Sequence, residues 1–150
     1  GESCMTLAQV KTQLATNLAQ TTNVKRVFED PPALQIGAAD CPCVIIESVE
    51  IGVGGHNTQV KGRVIEAQYT LTLKVLTAPA GVYQSVDEDV LAIALLNKLY
   101  GSIELSGYAF DSGLVAGFLL DQPQEHFGEP FTGFVFQWLV RSRSMITVAA

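Results

Sequence analysis

The sequence predicts an α+β domain, in which an antiparallel β-sheet of about five strands carries two main helices packed on one face. Two segments place apolar residues at steps of three and four, which is the spacing of one helical face. Residues 64–76 alternate strictly between apolar and polar side chains, which is typical of a strand with one buried face. The predicted strands mostly follow one another directly, which favours hairpin connections over parallel crossovers.

The composition is that of a single globular domain with a small share of charge. Of its 150 residues, 48% are hydrophobic and 16% are charged, where about 25% charged is usual. A chain this poor in charge often covers part of its surface in an assembly. Its net charge of −6 argues against a surface that binds nucleic acid throughout. We expect one domain over residues 5–150, with residues 1–4 an artificial extension before a natural start at Met5.

The first predicted helix begins at a capping box, Thr6–Gln9, in which a hydroxyl and a glutamine can satisfy free backbone amides. Its apolar stripe consists of Leu7, Val10, Leu14 and Leu18. The polar run at residues 20–23 ends it. A short β-branched and aromatic run, Val24–Phe28, follows as a strand, and the next two prolines stop it because proline has no amide to donate.

Two long strands are predicted in the middle of the chain, Cys43–Ile51 and Val64–Leu76. The residues expected on one face of the first strand are Cys43, Ile45, Val49 and Ile51. In the second strand, the odd-numbered residues from Ile65 to Val75 are expected to face the core. The stretch Gly52–Gly62 holds four glycines and few apolar side chains, which indicates a flexible hairpin loop between the two strands.

The second helix is predicted to run from a capping box at Ser85–Glu88 to a stop at Gly101. Its apolar residues occupy a wide arc, so we expect it to be buried on more than one side. Two strands follow, Leu114–Leu120 and Phe134–Ile146. The stretch between them, Asp121–Thr132, contains two prolines and a glycine and is expected to be a connecting loop.

Few residue clusters could carry chemistry. The run Cys41-Pro42-Cys43 supplies at most half of a tetrahedral zinc site, so two reduced thiols are the simpler interpretation. The glycines after Ile51 lead into a strand, and so lack the helix N-terminus that holds a phosphate. His126 lies in the predicted loop, where a solvated histidine is expected. No nucleophile elbow occurs, and we therefore expect no enzyme activity, no cofactor and no metal.

The cysteines and the hydropathy indicate the compartment. Three cysteines make no even disulfide framework, which favours a reduced, intracellular protein. No apolar run approaches the roughly 18 residues that span a bilayer, and the first residues lack the order of a signal peptide.

A candidate interface is the remaining feature of the surface. The polar face of Val64–Leu76 is rich in Thr and Gln, and an exposed sheet of this kind invites pairing unless another subunit covers it. Basic residues cluster beside it and can pair with acidic groups of a neighbour. The residues predicted to contact another subunit or partner are Gly54, Gly55, His56, Asn57, Lys61, Arg63, Arg141 and Arg143.

The layout from Met5 onward resembles the tail terminator (minor tail protein U-like) family of long-tailed bacteriophages. The likeness lies in the order of elements: a capped first helix, a short strand, and a hairpin with a Gly-rich tip. It continues with Ala67-Gln68-Tyr69-Thr70-Leu71-Thr72-Leu73-Lys74-Val75, a second capped helix, and a last strand containing Phe131-Thr132-Gly133-Phe134-Val135-Phe136.

The resemblance implies a non-enzymatic structural protein of the virion tail, made in the cytoplasm of the bacterial host. It implies a homo-oligomeric ring, usually a hexamer, which caps the tail tube and forms the surface for head attachment. The partners are then the tail tube protein and the head–tail connector, with DNA passing through the ring unbound and no membrane involved. Two alternatives remain: a neck, tail-completion or tail tube protein, and a small α+β ligand-binding module or enzyme.

Overall fold

The computed structural model describes residues 7–33, 35–54, 64–81, 87–101, 111–115, 119–120, 123–126 and 128–145. Within these ranges the elements are α1 (Leu7–Leu18), β1 (Arg26–Phe28), β2 (Cys43–Gly54), β3 (Val64–Pro79), α2 (Glu88–Tyr100), β4 (Asp111–Leu114), β5 (Gln124–His126) and β6 (Glu129–Met145). A single turn of 3₁₀ helix, Ala38–Asp40, precedes β2. The predicted fold class is confirmed: two helices accompany a mostly antiparallel sheet of six strands.

The sheet has the strand order β1-β2-β3-β6-β4, and β5 pairs with β6 as well. The central strands β2, β3 and β6 are antiparallel neighbours. β1, however, runs parallel to β2, so the expectation that hairpins join all successive strands is wrong at this point. The connection over residues 29–42 is long enough to carry the chain back before β2 begins, which a tight turn cannot do.

The main core lies between the helices and one face of the sheet. α1 buries Val10, Leu14 and Leu18 as predicted, and α2 buries Leu91, Ala92, Leu95 and Leu99. The buried residues on this face of the sheet are Val44, Ile46, Tyr69, Leu71, Leu73, Val75, Phe134, Phe136, Trp138 and Val140. The alternation predicted for β3 is therefore confirmed from Tyr69 to Val75.

A smaller core lies on the opposite face, at the end of the sheet where β2 begins. It consists of Ile36, Cys41, Cys43, Ile45, Leu76 and Phe131. Because successive residues of a strand face opposite ways, Cys43 and Ile45 project away from the helices while Val44 and Ile46 project toward them. The segment over residues 35–42 covers this core and includes the 3₁₀ turn.

A β-bulge at Glu47 overturns the predicted facing of β2. Ile46 lies opposite Leu73, but Ser48 lies opposite Thr72, so Glu47 is an extra residue with no partner of its own. The extra residue reverses the alternation, and Val49 consequently packs against the main core while Ile45 belongs to the smaller one. The prediction that Cys43, Ile45, Val49 and Ile51 share a face is wrong for this reason.

A second irregularity lies at Thr77, where Leu76 pairs with Gly133 and Ala78 pairs with Thr132. The buried Thr77 hydroxyl donates to the Thr132 carbonyl oxygen at 2.8 Å, so the bulge does not leave this polar group unsatisfied. β3 and β6 approach so closely here that a Cβ atom on Gly133 would lie 2.0 Å from the Val75 carbonyl oxygen. Only glycine fits this position without a shift of the backbone.

The edge beside β6 consists of short pieces, where a strand over Leu114–Leu120 was predicted. β4 ends at Leu114, after which the Val115 amide donates to the Gln137 carbonyl oxygen at 3.0 Å, and a single bridge joins Leu119 to Val135. The register shifts by two residues between the pair Leu114–Trp138 and the pair Leu119–Val135, so the strand pairing is not continuous. The predicted loop Asp121–Thr132 is also wrong, since β5 and the start of β6 form a hairpin there.

The start of α2 differs from the prediction as well. Its N-cap is Asp87, and the helix begins at Glu88, so the capping box predicted at Ser85 starts too early. Ser85 itself, like the Thr6 cap predicted for α1, lies outside the described residues. The end of α2 at Gly101 is confirmed.

Candidate interaction surface

Three of the predicted interface residues, Gly54, Arg141 and Arg143, lie in the described part of the β2–β3–β6 sheet. β2 continues through Gly54, which pairs with Glu66, so the predicted start of the loop at Gly52 is wrong. The residues predicted at the loop tip and after it, Gly55, His56, Asn57, Lys61 and Arg63, lie outside the described residues. Their role in an interface stays a prediction.

The two arginines predicted for the interface both lie on β6, two residues apart. Arg141 is half-buried and lies opposite Gln68 on one side and Asp111 on the other. Arg143 lies opposite Glu66. The role of the two arginines in an interface stays a prediction.

α2 buries only one of its two apolar sides in this chain. Leu91, Leu95 and Leu99 face the core, whereas Val90 and Ile93 are 55% and 59% exposed. The expectation of burial on more than one side is wrong, because the buried residues of α2 share one side of the helix: Glu88, Leu91, Ala92, Leu95 and Leu99. We define the α2 stripe as the exposed residues Val90, Ile93, Asn97 and Tyr100, which helical spacing places on one side.

The end of the α2 stripe is anchored to the edge of the sheet. The ring of Tyr100 packs edge-on against Trp138, with 5.0 Å between ring centroids and 79° between ring planes. Its hydroxyl accepts a hydrogen bond of 3.2 Å from the Leu114 amide in β4. Trp138 is wholly buried. The stripe is thus held in a fixed position relative to β4 and β6.

A second, chemically different surface lies on the other side of the sheet. We define the outer sheet face as Ser48, Glu50, Gln68, Thr70, Thr72, Val135, Gln137 and Leu139, which are exposed or half-buried. Seven of these eight side chains carry no charge, which agrees with the Thr- and Gln-rich face predicted from the alternation of β3. At its border Leu119 pairs with Val135 and is 58% exposed.

Charge at one end of the outer sheet face is already paired. The Lys74 ammonium group lies 3.5 Å from the Glu47 carboxylate, which the bulge places beside it, and also donates to the Glu125 carbonyl oxygen. Lysine and glutamate held together in this way interact little with a further partner. Apart from the Glu50 carboxylate, the outer sheet face therefore offers hydroxyl, amide and aliphatic groups.

The described ranges contain no group of three or more His, Cys, Asp and Glu side chains that could hold a metal ion. His126, predicted in a solvated loop, instead lies in β5, where its half-buried ring meets Phe131 edge-on at 6.5 Å between centroids. No helix in the described part of the chain is both long and apolar enough to cross a membrane.

Comparison with known proteins finds no family model that matches the chain and no curated protein similar to it. The surfaces of the chain therefore have to be interpreted from their own chemistry.

Sequence reasoning did not identify the α2 stripe as a surface. The signal was present, because the apolar residues of α2 span more of the helix circumference than one buried face requires. Which part of that arc stays exposed depends on where α1 and the sheet lie, and periodicity within α2 carries no information about that.

Proposed function

We propose that this chain is a structural subunit of a bacteriophage tail, a tail terminator that forms a ring on the end of the tail tube and presents the surface for head attachment. Two lines support the proposal. The order of elements from Met5 resembles that family, and the α+β architecture agrees with it. The chain also carries two surfaces suited to contacts between copies of itself.

The observation that carries the assembly is the position of these two surfaces. The α2 stripe lies on the outer side of the helix layer, and the outer sheet face lies on the other side of the same domain. Two different patches on opposite sides favour a head-to-tail contact, in which one patch of each copy meets the other patch of the next. A head-to-tail contact that closes on itself produces a ring, whereas a two-fold dimer uses the same patch twice.

Partners and charge follow from the proposed role. The ring contacts the tail tube protein on one side and the head–tail connector on the other, in the virion tail, after synthesis in the host cytoplasm. A net charge of −6 opposes tight binding of DNA, as a ring that DNA passes through requires. The proposed role is non-enzymatic and needs no cofactor.

Self-association tests the ring. Light scattering after size-exclusion chromatography measures the mass over a range of concentrations, and we expect a closed ring or a monomer that forms rings at high concentration. Ile93→Asp introduces a charge into the α2 stripe and is expected to weaken association by roughly tenfold or more, because burying an unpaired carboxylate is costly. Lys98→Gln changes the net charge equally at an exposed position of α2 outside the stripe, and is expected to associate normally.

The outer sheet face is tested in the same assay. Thr70→Lys adds a charge at the centre of that face, and Thr22→Lys makes the same change at an exposed position after α1. We expect only Thr70→Lys to weaken association. If neither Ile93→Asp nor Thr70→Lys does so, the two surfaces do not form the contact.

The terminator role is tested separately, with the tail tube protein encoded by the same genome. We expect the chain to bind the ends of growing tubes and to stop their elongation in electron micrographs. A chain that polymerises into tubes itself is a tube subunit. A stable monomer that binds no tube end and holds a small metabolite would overturn the proposal in favour of a ligand-binding module.

A further inference from the structure

Two cysteines lie two residues apart where the chain enters β2. Cys41 follows the 3₁₀ turn, and Cys43 is the first residue of β2, with Pro42 between them. Their side chains are hydrogen-bonded to each other. Both belong to the smaller core, where Cys41 is 5% exposed and Cys43 is fully buried. The proposed tail role makes no use of this pair.

The two thiols differ in acidity. The hydrogen bond from Cys43 lowers the pKa of Cys41, with a smaller contribution from Lys25, against the opposing effects of burial and of Asp40. The same hydrogen bond, followed by burial, raises the pKa of Cys43. Cys41 is therefore the thiol that takes the negative charge, while Cys43 keeps its proton and donates it to Cys41. A pair of this kind has one nucleophilic sulfur and a second sulfur within reach of it.

The surroundings favour a neutral product over a bound metal. Ile36, Ile45, Leu76 and Phe131 line the pair. A disulfide carries no charge and suits this apolar site, whereas a metal held by two thiolates would bury charge there. The described part of the chain brings together no third ligand that would complete a metal site.

The turn that precedes the pair is held by Asp40: the Gly37 amide donates to the Asp40 carboxylate at 3.3 Å, and Arg26 lies 3.3 Å from the same side chain. The residues Gly37, Ala38 and Ala39 of this turn are exposed to solvent. Cys41 follows the turn and is 5% exposed, whereas Cys43 is fully buried, so Cys41 is the thiol of the pair that solvent reaches.

We propose that Cys41 and Cys43 form a redox-active dithiol, which a hydroperoxide oxidises to an intramolecular disulfide. The Cys41 thiolate attacks one oxygen of hydrogen peroxide, the O–O bond breaks, and the departing hydroxide leaves as water after taking a proton from solvent. Cys41 is then a sulfenic acid. The Cys43 sulfur attacks the Cys41 sulfur, the sulfenic hydroxyl leaves, and the Cys43 proton completes the second water. Two thiols are oxidised and one peroxide is reduced.

The experiment uses the full chain with Cys4→Ser, so that Cys41 and Cys43 are its only thiols. Hydrogen peroxide is added to the folded protein, and intact mass is measured after denaturation without reductant. We expect the loss of two hydrogen atoms' mass, no reaction with maleimide, and full reversal by dithiothreitol. An unchanged mass with both thiols still reactive overturns the proposal, as does a covalent dimer.

Single variants test the assigned order of events. Cys43→Ser is expected to stop at a sulfenic acid on Cys41, which dimedone traps and peptide mass spectrometry locates. Cys41→Ser is expected to react with peroxide at least about tenfold more slowly than the Cys4→Ser protein that keeps both thiols, because burial keeps the remaining Cys43 thiol protonated. In urea the two proteins should react at equal rates per thiol. Equal rates per thiol in the folded proteins would show that the fold does not make Cys41 the reactive sulfur, and would overturn the assignment.

Discussion

Two residues of α2, only two positions apart, are expected to lose very different amounts of stability on the same kind of substitution. Leu95 is wholly buried against the sheet, whereas Ile93 is 59% exposed on the α2 stripe. Truncating each to alanine removes three carbon atoms from the chain. The comparison tests whether α2 buries one side, as the structure has it, or two.

The magnitudes follow from burial. Leu95→Ala loses the transfer free energy of three buried carbons, about 2.4 kcal/mol, and leaves a cavity, so we expect a loss of about 3 kcal/mol in the free energy of unfolding. In Ile93→Ala less than half of the removed surface was buried, so the lost burial lowers the free energy of unfolding by about 1 kcal/mol. The better helix propensity of alanine raises it by about 0.4 kcal/mol. The net loss is about 0.5 kcal/mol.

The assay is thermal unfolding followed by circular dichroism, at concentrations where light scattering shows a monomer, since association would raise the midpoint. We expect a fall in Tm of about 6–12 °C for Leu95→Ala and about 2 °C or less for Ile93→Ala. Self-association at high concentration should show the reverse order: Ile93→Ala should weaken it more than Leu95→Ala does. If Ile93→Ala lowers the monomer's Tm as much as Leu95→Ala does, α2 is buried on both sides and the stripe is not a surface.

Three further predictions concern the sheet and the thiols. Gly133→Ala forces a Cβ atom against a strand backbone and should cost about 3 kcal/mol in urea unfolding, whereas Gly37→Ala, with nothing within 4 Å of the new atom, should change stability by less than about 0.5 kcal/mol. Thr77→Val removes the hydroxyl that satisfies the second bulge and should cost about 1–2 kcal/mol by the same measurement, while Thr72→Val on the outer sheet face should cost far less. Because the hydrogen bond from Cys43 lowers the pKa of Cys41, the Cys41 thiolate persists to lower pH than that of an ordinary cysteine. In the Cys4→Ser protein, which keeps both thiols of the pair, oxidation by peroxide should therefore remain fast below the pH at which the same protein slows in urea; coincident pH profiles would contradict this.

The assembly that we propose would cover two surfaces that the single chain exposes. The α2 stripe exposes Val90 and Ile93 to water, and the outer sheet face exposes a nearly uncharged surface. A neighbouring copy would remove this apolar surface from water. A composition with 16% charged residues agrees with the proposal, since a subunit that is largely covered needs fewer of them.

The candidate site was only partly predictable from the sequence. Arg141 and Arg143 were identified from charge alone, but their neighbours Asp111 and Glu66 come from distant segments and appear only in the register of β6. The Cys41–Cys43 pair was visible as a spacing. That both thiols lie in one buried cluster follows from the packing around them.

The sequence by itself determined the elements whose pattern is local: the stripe of α1, the alternation of β3 and the end of α2 at Gly101. Helical and strand periods are properties of neighbouring residues, and each repeats over enough residues to be unambiguous. Only the tertiary structure decided the parallel pairing of β1, the bulge at Glu47 and the exposed side of α2. Each of these depends on which distant segment lies alongside, and a single extra residue in a strand reverses the facing of every residue after it.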